Sequence, residues 1–515
     1  MILENGVVRT LDESLPVARS LAVAGAVIAG GVGTHETALA SPEVFDLGGR
    51  CVLPGFTDSH VHFVAWALAQ HEVRFEGTRT LEEAVERVRA AVTSVPRGGW
   101  LRGRGWRSGD WDPPAEPTRQ LLDEVSRDVP IALTARDGHS MWLNSAALAH
   151  ADGDLRADGG VVEVDEHGEP TGVLREESAW LFRERFVEAS YTEAECMSAV
   201  RAGLKTAASR GMTAIHAAVT NEDRWIGGLP FFERLDADEA LTLRVWQWIP
   251  HDLVGELRQT MLHSRFGSER LKLGALKAFM DGTLGSETAL LLDGTGVQIT
   301  SREELEELIR RGADAGFPVA VHAIGDRANR DALDAFETTR DMWQPLGLRH
   351  RIEHAQCLAP DDVTRFAQLG VAASVQFTHA TSDQALAERI WGERADRAYL
   401  FRSLVESGAV LANGSDAPVE ELDPLAGLRA GVLRTTDERP PWRPEQSLTL
   451  EQALQATCVA PAWLTHEERR RGKLLPGYAA DLVVLSRDPF DDLSACEVVA
   501  TMVGGRWTHN PPPWE

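Results

Sequence analysis

The sequence predicts an α/β fold: a TIM-like (β/α)8 barrel, a small β-sandwich domain built from both termini, and an inserted subdomain after the first barrel strand. Three observations lead there. The middle of the 515-residue chain alternates apolar β-like runs with longer amphipathic stretches, the pattern of a parallel sheet covered by helices. Both ends hold short β-like runs broken by turns. A segment of about residues 75–195 is left between the first two barrel strands, too long for one crossover.

The N-terminal 1–54 carry "ILENGVVRTL", "SLAVAGAVIAGGVG" and "VFDLGGRCVLPG", and the C-terminal 468–515 carry "RGKLLPGYAADLVVLSRDP" and "CEVVATMVGGRWTHN". Neither end contains enough strand to close a sheet, so the two are expected to pair into one composite domain. Residues 55–467 then form the barrel. Its first strand lies in "VLPGFTDSHVHF" (52–63), and seven more candidates follow: 211–219, 241–250, 271–282, 317–326, 348–356, 370–379 and 408–418. One and seven make the eight strands a barrel needs. Helices fall between several of them. "REELEELIRRGADAG" puts Leu305, Leu308 and Ile309 at helical spacing, and "ADRAYLFRSLVESG" is similar. The insert is expected to contain one strand of its own, "VPIALTARDGHSMWLN" (129–144), and the hairpin-like "GGVVEVDEHGEPTG". Loops after barrel strands carry function, so the insert is expected to cover or shape a pocket at the mouth.

Composition narrows the function classes. The chain is 43% hydrophobic and 25% charged, ordinary for a soluble globular protein. A formal net charge of -26 argues against nucleic acid or an anionic membrane surface as a partner. The five cysteines (Cys51, Cys196, Cys357, Cys458, Cys496) form no Cys-x-x-Cys, so a disulfide framework or zinc ribbon is not expected. "MILENGVVRTLDE" lacks the features of a signal peptide. The longest apolar run is too short to span a bilayer. A reduced, cytoplasmic setting is the expectation.

In "TDSHVH", strand alternation would aim Asp58, His60 and His62 to one side. Sixteen histidines in this chain make about 0.5 His-x-His pairs by chance, so that pair alone carries little. The other strand ends decide the matter. The fourth candidate strand offers Lys277, the fifth His322, the sixth His354 and the eighth Asp416. A lone histidine in an apolar run is more often a core or surface residue than a ligand. Four histidines and an aspartate at one rim are the donor set of a metal site. Lys277 has two readings: a lysine paired to a carboxylate such as Asp281, or an amine kept neutral by burial near cations. A neutral amine can take up carbon dioxide to form a carbamate, which can bridge two metals.

"VLPGFTDSHVH", "LKAFMDGTLGSETALL", "VAVHAIGDRANRDALDAFE", "HRIEHAQ", "NGSDAPV" and "GKLLPGYAADLVVLSRDP" together resemble the amidohydrolase superfamily. More narrowly, they resemble its YtcJ-like branch (amidohydrolase family 3), which includes N-substituted formamide deformylases. "DGHSMWLNSAAL" in the insert is similar to that branch too, whereas Phe377 in "SVQFTHATSD" stands where relatives commonly have proline. The resemblance implies two divalent metal ions, with zinc favoured and manganese, iron or cobalt open. His60, His62 and Asp416 would bind one ion, His322 and His354 the other, and an N6-carboxylated Lys277 would bridge them. It further implies a metal-held hydroxide as nucleophile. Asp416 would be the catalytic proton carrier in the cleavage of an amide-like or N-formyl C–N bond.

The remaining site candidates are weaker. His139 in "ARDGHS" is assigned a catalytic role touching substrate, against a loop histidine that holds its own turn. Asp326 would orient a ligand imidazole or cap a helix, and Asp58 and Glu353 have similar supporting roles open. Gln376, His379 and Trp106 complete the residues expected to support the ligands or touch substrate. The expected partner is a small amide-like molecule, with a homodimer allowed for. Rival readings are a deaminase, which Lys277 argues against, an esterase or lactonase using the same hydroxide, and a non-catalytic barrel scaffold, which would be expected to have lost ligands.

Overall fold

The computed structural model describes residues 1–515 apart from 30–42, 76, 109–110, 114, 137, 139, 152–154, 158–159, 220–225, 286 and 515. The chain divides into two compact units, Met1–Trp66 together with Arg201–Glu515, and Ala67–Val200.

In the first unit, eight strands form one sheet in sequence order: β1 (Phe56–Val61), β2 (Met212–Ala217), β3 (Arg244–Pro250), β4 (Leu271–Phe279), β5 (Val319–Ala323), β6 (Arg351–His354), β7 (Ala372–Val375) and β8 (Leu411–Asn413). Each neighbouring pair is parallel. Beyond the strand ends, the Asp416 N–H donates to the His60 carbonyl (2.7 Å) and the His62 N–H to the Ala417 carbonyl (2.9 Å). These bonds stitch the last strand to the first and bring the sheet round into a barrel. Every residue of β1 and β3 is buried, as expected where a parallel sheet is covered on both faces. The covering helices follow local rules. In Arg302–Ala315, Ser301 and Glu304 form a capping box, Leu305, Leu308 and Ile309 are buried, and Gly316 ends the helix at φ 75.

The run "VLPGFTDSHVHF" is two elements rather than one. Cys51–Pro54 pairs with Val7–Arg9 and with Leu482–Leu485, in a different sheet from β1. Gly55 is the joint. Its N–H donates to the Asp481 carbonyl (3.0 Å), and a side chain there would meet Thr213 Cγ2 at 2.0 Å. The sheet containing Cys51–Pro54 has six strands, in the order Arg506–His509, Val498–Val503, Leu482–Leu485, Cys51–Pro54, Val7–Arg9 and Val17–Ala18. A four-stranded sheet takes Val27–Ile28, Leu21–Ala24, Ile2–Glu4 and Val44–Asp46. Leu3, Leu21 and Val23 of the smaller sheet share a core with Val8, Val52, Leu482, Val484 and Met502 of the larger. Strands from both chain ends thus bury one apolar layer.

The second unit has its own six-stranded sheet, ordered Val161–Val164, Pro170–Arg175, Ser140–Leu143, Ile131–Ala135, Leu101–Trp106 and Val73–Arg74. The segment 129–144, expected as a single strand, is an antiparallel pair, with Ala132 opposite Leu143 and Thr134 opposite Met141. The reason is local. Between the two strands Gly138 adopts φ 75, which glycine does without steric cost, and its N–H donates to the Ala135 carbonyl (3.0 Å). Trp106, Trp111 and Trp142 pack together in this unit's core. Among the described residues, no helix of either unit is long and apolar enough to cross a membrane.

Candidate metal centre

The C-terminal ends of β1, β6 and β8 converge on one carboxylate, Asp416. His60 closes most of β1, and its Nδ1 lies 2.7 Å from Glu353 Oε2 on β6. A carboxylate only accepts, so Nδ1 carries the proton and Nε2 keeps its lone pair. That Nε2 is buried without a hydrogen-bond partner and sits 3.5 Å from Asp416 Oδ1. His62 Nε2 is 3.6 Å from the same oxygen. Asp416 Oδ2 lies 4.0 Å from His354 Nδ1 and 4.0 Å from His379 Nε2. His354 Nδ1 also meets Gln376 Oε1 at 2.8 Å, which leaves its Nε2 free of the proton. Two groupings result, His60, His62 and Asp416, and His354, His379 and Asp416, each with donor atoms within 4.8 Å of one another.

Lys277 and His322 reach the same rim differently. Lys277 is buried beside the rings of Phe279 (4.7 Å) and Trp248 (5.5 Å). Burial lowers its pKa, and the nearby Glu353 and Asp416 oppose the shift. It does not pair with Asp281. That carboxylate instead accepts the N–H groups of Leu290 (2.9 Å), Ile324 (3.0 Å) and Gly325 (2.8 Å), which ties the loops after β4 and β5 together. Burial pushes Asp281 up to about 7 against those three bonds. The His322 ring meets His354 edge-on at 4.5 Å, but its Nε2 faces the Gly282 carbonyl at 3.0 Å. His379, from the segment after β7, therefore stands in the second grouping where the resemblance implies His322.

The electrostatics suit ligands. Burial first, then the Lys277 charge, lowers His62 to about 4 and His322 to about 3, and holds His60 well below its ordinary value. Burial and the neighbouring His322 do the same for His354. These imidazoles are neutral, the form that binds metal. Burial raises the Asp416 carboxyl, with Lys277 opposing. The backbone is strained at the same place: Asp416 has φ 58 and His354 φ 74, a left-handed conformation that costs a non-glycine residue about 1–3 kcal/mol. Asp58 helps hold it, because its Oδ1 accepts the N–H groups of both His60 and Ser415 at 3.0 Å. The orphaned, buried Nε2 atoms of His60 and His379, in a set of imidazoles around a carboxylate, fit a divalent cation such as zinc.

The other candidates separate. Gln376 touches His354, and Gln356 Nε2 lies 3.3 Å from His379 Nδ1. Asp326 neither orients His322 nor caps its helix. It is the helix's first residue, after an N-cap at Gly325, and its Oδ1 accepts the Leu292 N–H at 2.8 Å. Trp106 is corrected to a core residue of the second unit, since its ring is buried against Trp111 and Trp142 and its Nε1–H donates to the Leu133 carbonyl at 2.9 Å. His139 lies outside the described residues. Sequence reasoning passed over Arg351 and His216, which are buried beneath His60. A signal was present in "HRIEH", where Arg351 and Glu353 stand two apart on one strand and so share a face.

A model of the amidohydrolase family matches residues 43–509. The chain is 30% identical over 505 residues to the putative amidohydrolase YtcJ of Bacillus subtilis (strain 168), covering 92% of this chain and 93% of that protein. It is 28% identical over 540 residues to the N-substituted formamide deformylase of Arthrobacter pascens, covering 98% of this chain and 97% of the relative. Among solved structures, an uncharacterized metal-dependent hydrolase from Pyrococcus furiosus matches with a TM-score of 0.79 at 28% identity, over 95% of this chain and 99% of that one. With its barrel and rim geometry in accord, the chain belongs to the amidohydrolase family.

Proposed function

We propose that the protein is a metal-dependent hydrolase that cleaves the C–N bond of a small non-peptide amide or N-formyl compound. The observation that carries this reading is the convergence of four neutral imidazoles on the Asp416 carboxylate at the barrel rim. His60, His62 and Asp416 would hold one divalent ion. His354, with His322 or His379, would hold a second, and Lys277 as a carbamate would lie between them. Its burial and lowered pKa favour the neutral amine that carbamate formation requires. A divalent ion at this place supplies Lewis acidity, which polarises a carbonyl and lowers the pKa of water. Asp416 takes a proton on its carboxylate and delivers it to the leaving nitrogen, a task that suits a carboxyl whose pKa burial has raised. The likeness to an N-substituted formamide deformylase supports the N-formyl class of substrate. Five buried cysteines, none of them in a disulfide, agree with a reducing, cytoplasmic setting.

The test is metal content by elemental mass spectrometry on protein purified without chelators, together with amine release from a panel of N-formyl amines and simple amides. The expected outcome is two equivalents of metal and amine release. One equivalent with ammonia release would favour a deaminase, and ester or lactone cleavage without amide cleavage would replace the bond assigned here. No metal, and none taken up from added zinc or manganese, would leave a non-catalytic scaffold.

A further inference from the structure

Beneath His60 lies a buried ion pair that the proposed chemistry does not use. Glu353 is 0% exposed and Arg351 3%, and both project from β6 toward the barrel interior. Arg351 Nη2 donates to Glu353 Oε2 at 3.1 Å, and Nε donates to the other carboxylate oxygen. Glu353 Oε2 is the atom that receives the His60 Nδ1–H. The guanidinium also donates to the Ser59 carbonyl (2.8 Å), to His216 Nδ1 (2.8 Å) and to the Ser374 hydroxyl, and it lies 4.8 Å from the Trp248 ring. Arg351 thereby touches β1, β2, β3 and β7 from its own strand β6. His216 can only accept at Nδ1, so its proton sits on Nε2.

This arrangement has a specific electrostatic sense. A buried carboxylate without a counter-charge is costly and tends to take up a proton. The planar guanidinium neutralises Glu353 and fixes its plane with two donors at once. A carboxylate held in this way fixes the tautomer and ring orientation of a metal-binding histidine and raises its basicity.

We propose that Arg351 is a positioning residue for the metal centre: by pairing with Glu353 it holds His60 with Nδ1–H inward and Nε2 toward Asp416. The inference rests on the metal reading of the site. Its test uses the full chain and two variants, Glu353→Gln and the double substitution Arg351→Met with Glu353→Gln. The double variant removes both charges together, which is near neutral for folding where removing one alone is not. Zinc affinity is read by competition with a chelator, the cobalt(II)-loaded protein by its visible absorption bands, and folding by thermal melting. The expected result is zinc binding weakened about 10–100-fold and shifted cobalt bands in both variants, with the double variant melting near the wild type and Glu353→Gln well below it. Unchanged zinc affinity and cobalt bands in the folded double variant would overturn the proposal. A double variant that does not fold would overturn it too, because the pair would then serve the fold. A wild-type chain that takes up neither ion would fail the metal reading itself, a result distinct from both.

Discussion

Asp416 is the residue on which the proposed chemistry turns. Its two oxygens face two pairs of histidines at 3.5–4.0 Å. Asparagine has nearly the same shape but cannot take a proton from water and pass it on. Asp416→Asn should therefore lower kcat by about 10²–10⁴. Steady-state kinetics beside a metal analysis of the same protein will check this; full turnover with metal bound would end the proton-carrier role. Lys277 makes a second prediction. If its carbamate holds two ions together, Lys277→Ala should drop metal content from two equivalents toward one, and added short carboxylic acids should restore it. A variant that keeps both ions unaided would return Lys277 to an ordinary buried amine beside Phe279 and Trp248.

At the scale of elements, the joint between terminal sheet and barrel is where single changes should be felt most. Gly55 lets Cys51–Pro54 and β1 belong to different sheets, with Thr213 Cγ2 only 2.0 Å from where a Cβ would stand. Gly55→Ala should cost about 1–3 kcal/mol by overpacking, read as a lower denaturant midpoint with an unchanged slope. Nearby, Asp481 binds Arg244 at the start of β3 through two bonds of 2.6 and 2.9 Å and accepts the Gly504 N–H at 2.7 Å. Burial alone would raise the Asp481 pKa, but Arg244 and these bonds hold it below its ordinary value. A carboxylate depressed on folding stabilises above its unfolded pKa of about 3.9, and that contribution is lost as pH falls through the folded value. Asp481→Asn, which strands the buried guanidinium, should cost about 3–5 kcal/mol at neutral pH. Its midpoint should also fall less than the wild type's below pH 4.

At the scale of the whole molecule, the composite sandwich makes the two chain ends interdependent. Ending the chain at residue 470 removes Leu482–Leu485, Val498–Val503 and Arg506–His509. Cys51–Pro54 then loses a partner strand, and the core around Leu3, Val8 and Val52 opens to water. The truncated chain should be insoluble or unfolded, as measured by soluble yield and circular dichroism; a folded product would mean that the N-terminal strands close their sheets without the C-terminus. The second unit has a separate core of Leu133, Trp106, Trp111 and Trp142, and its sheet draws only on residues within 67–200.

Local pattern was enough for much of this. Apolar runs that alternate with amphipathic stretches, as in 302–315 with its Ser301 cap, announce strands and helices because burial and capping act over a few residues. The placing of His60, His62, Lys277, His322, His354 and Asp416 near strand ends was legible for the same reason. Two local signals were read too coarsely, the Gly55 joint inside an apolar run and the glycine at 138 between two short strands. What only the tertiary structure decided is which side chains meet. The approach of His379 to Asp416 and His354, beside His322, depends on where the segment after β7 lies against β8. The tautomers of His60 and His354 depend on Glu353 and Gln376, which come from other strands or lie beyond their ends. The gathering of Ser59, His216, Trp248 and Ser374 around Arg351 draws residues from across the chain. Periodicity assigns a residue to a face, but only closure of the barrel brings distant strands within hydrogen-bonding reach. The sequence by itself determined the barrel, the family and most of the candidate ligand types; the closed sheet determined their partners, proton positions and groupings.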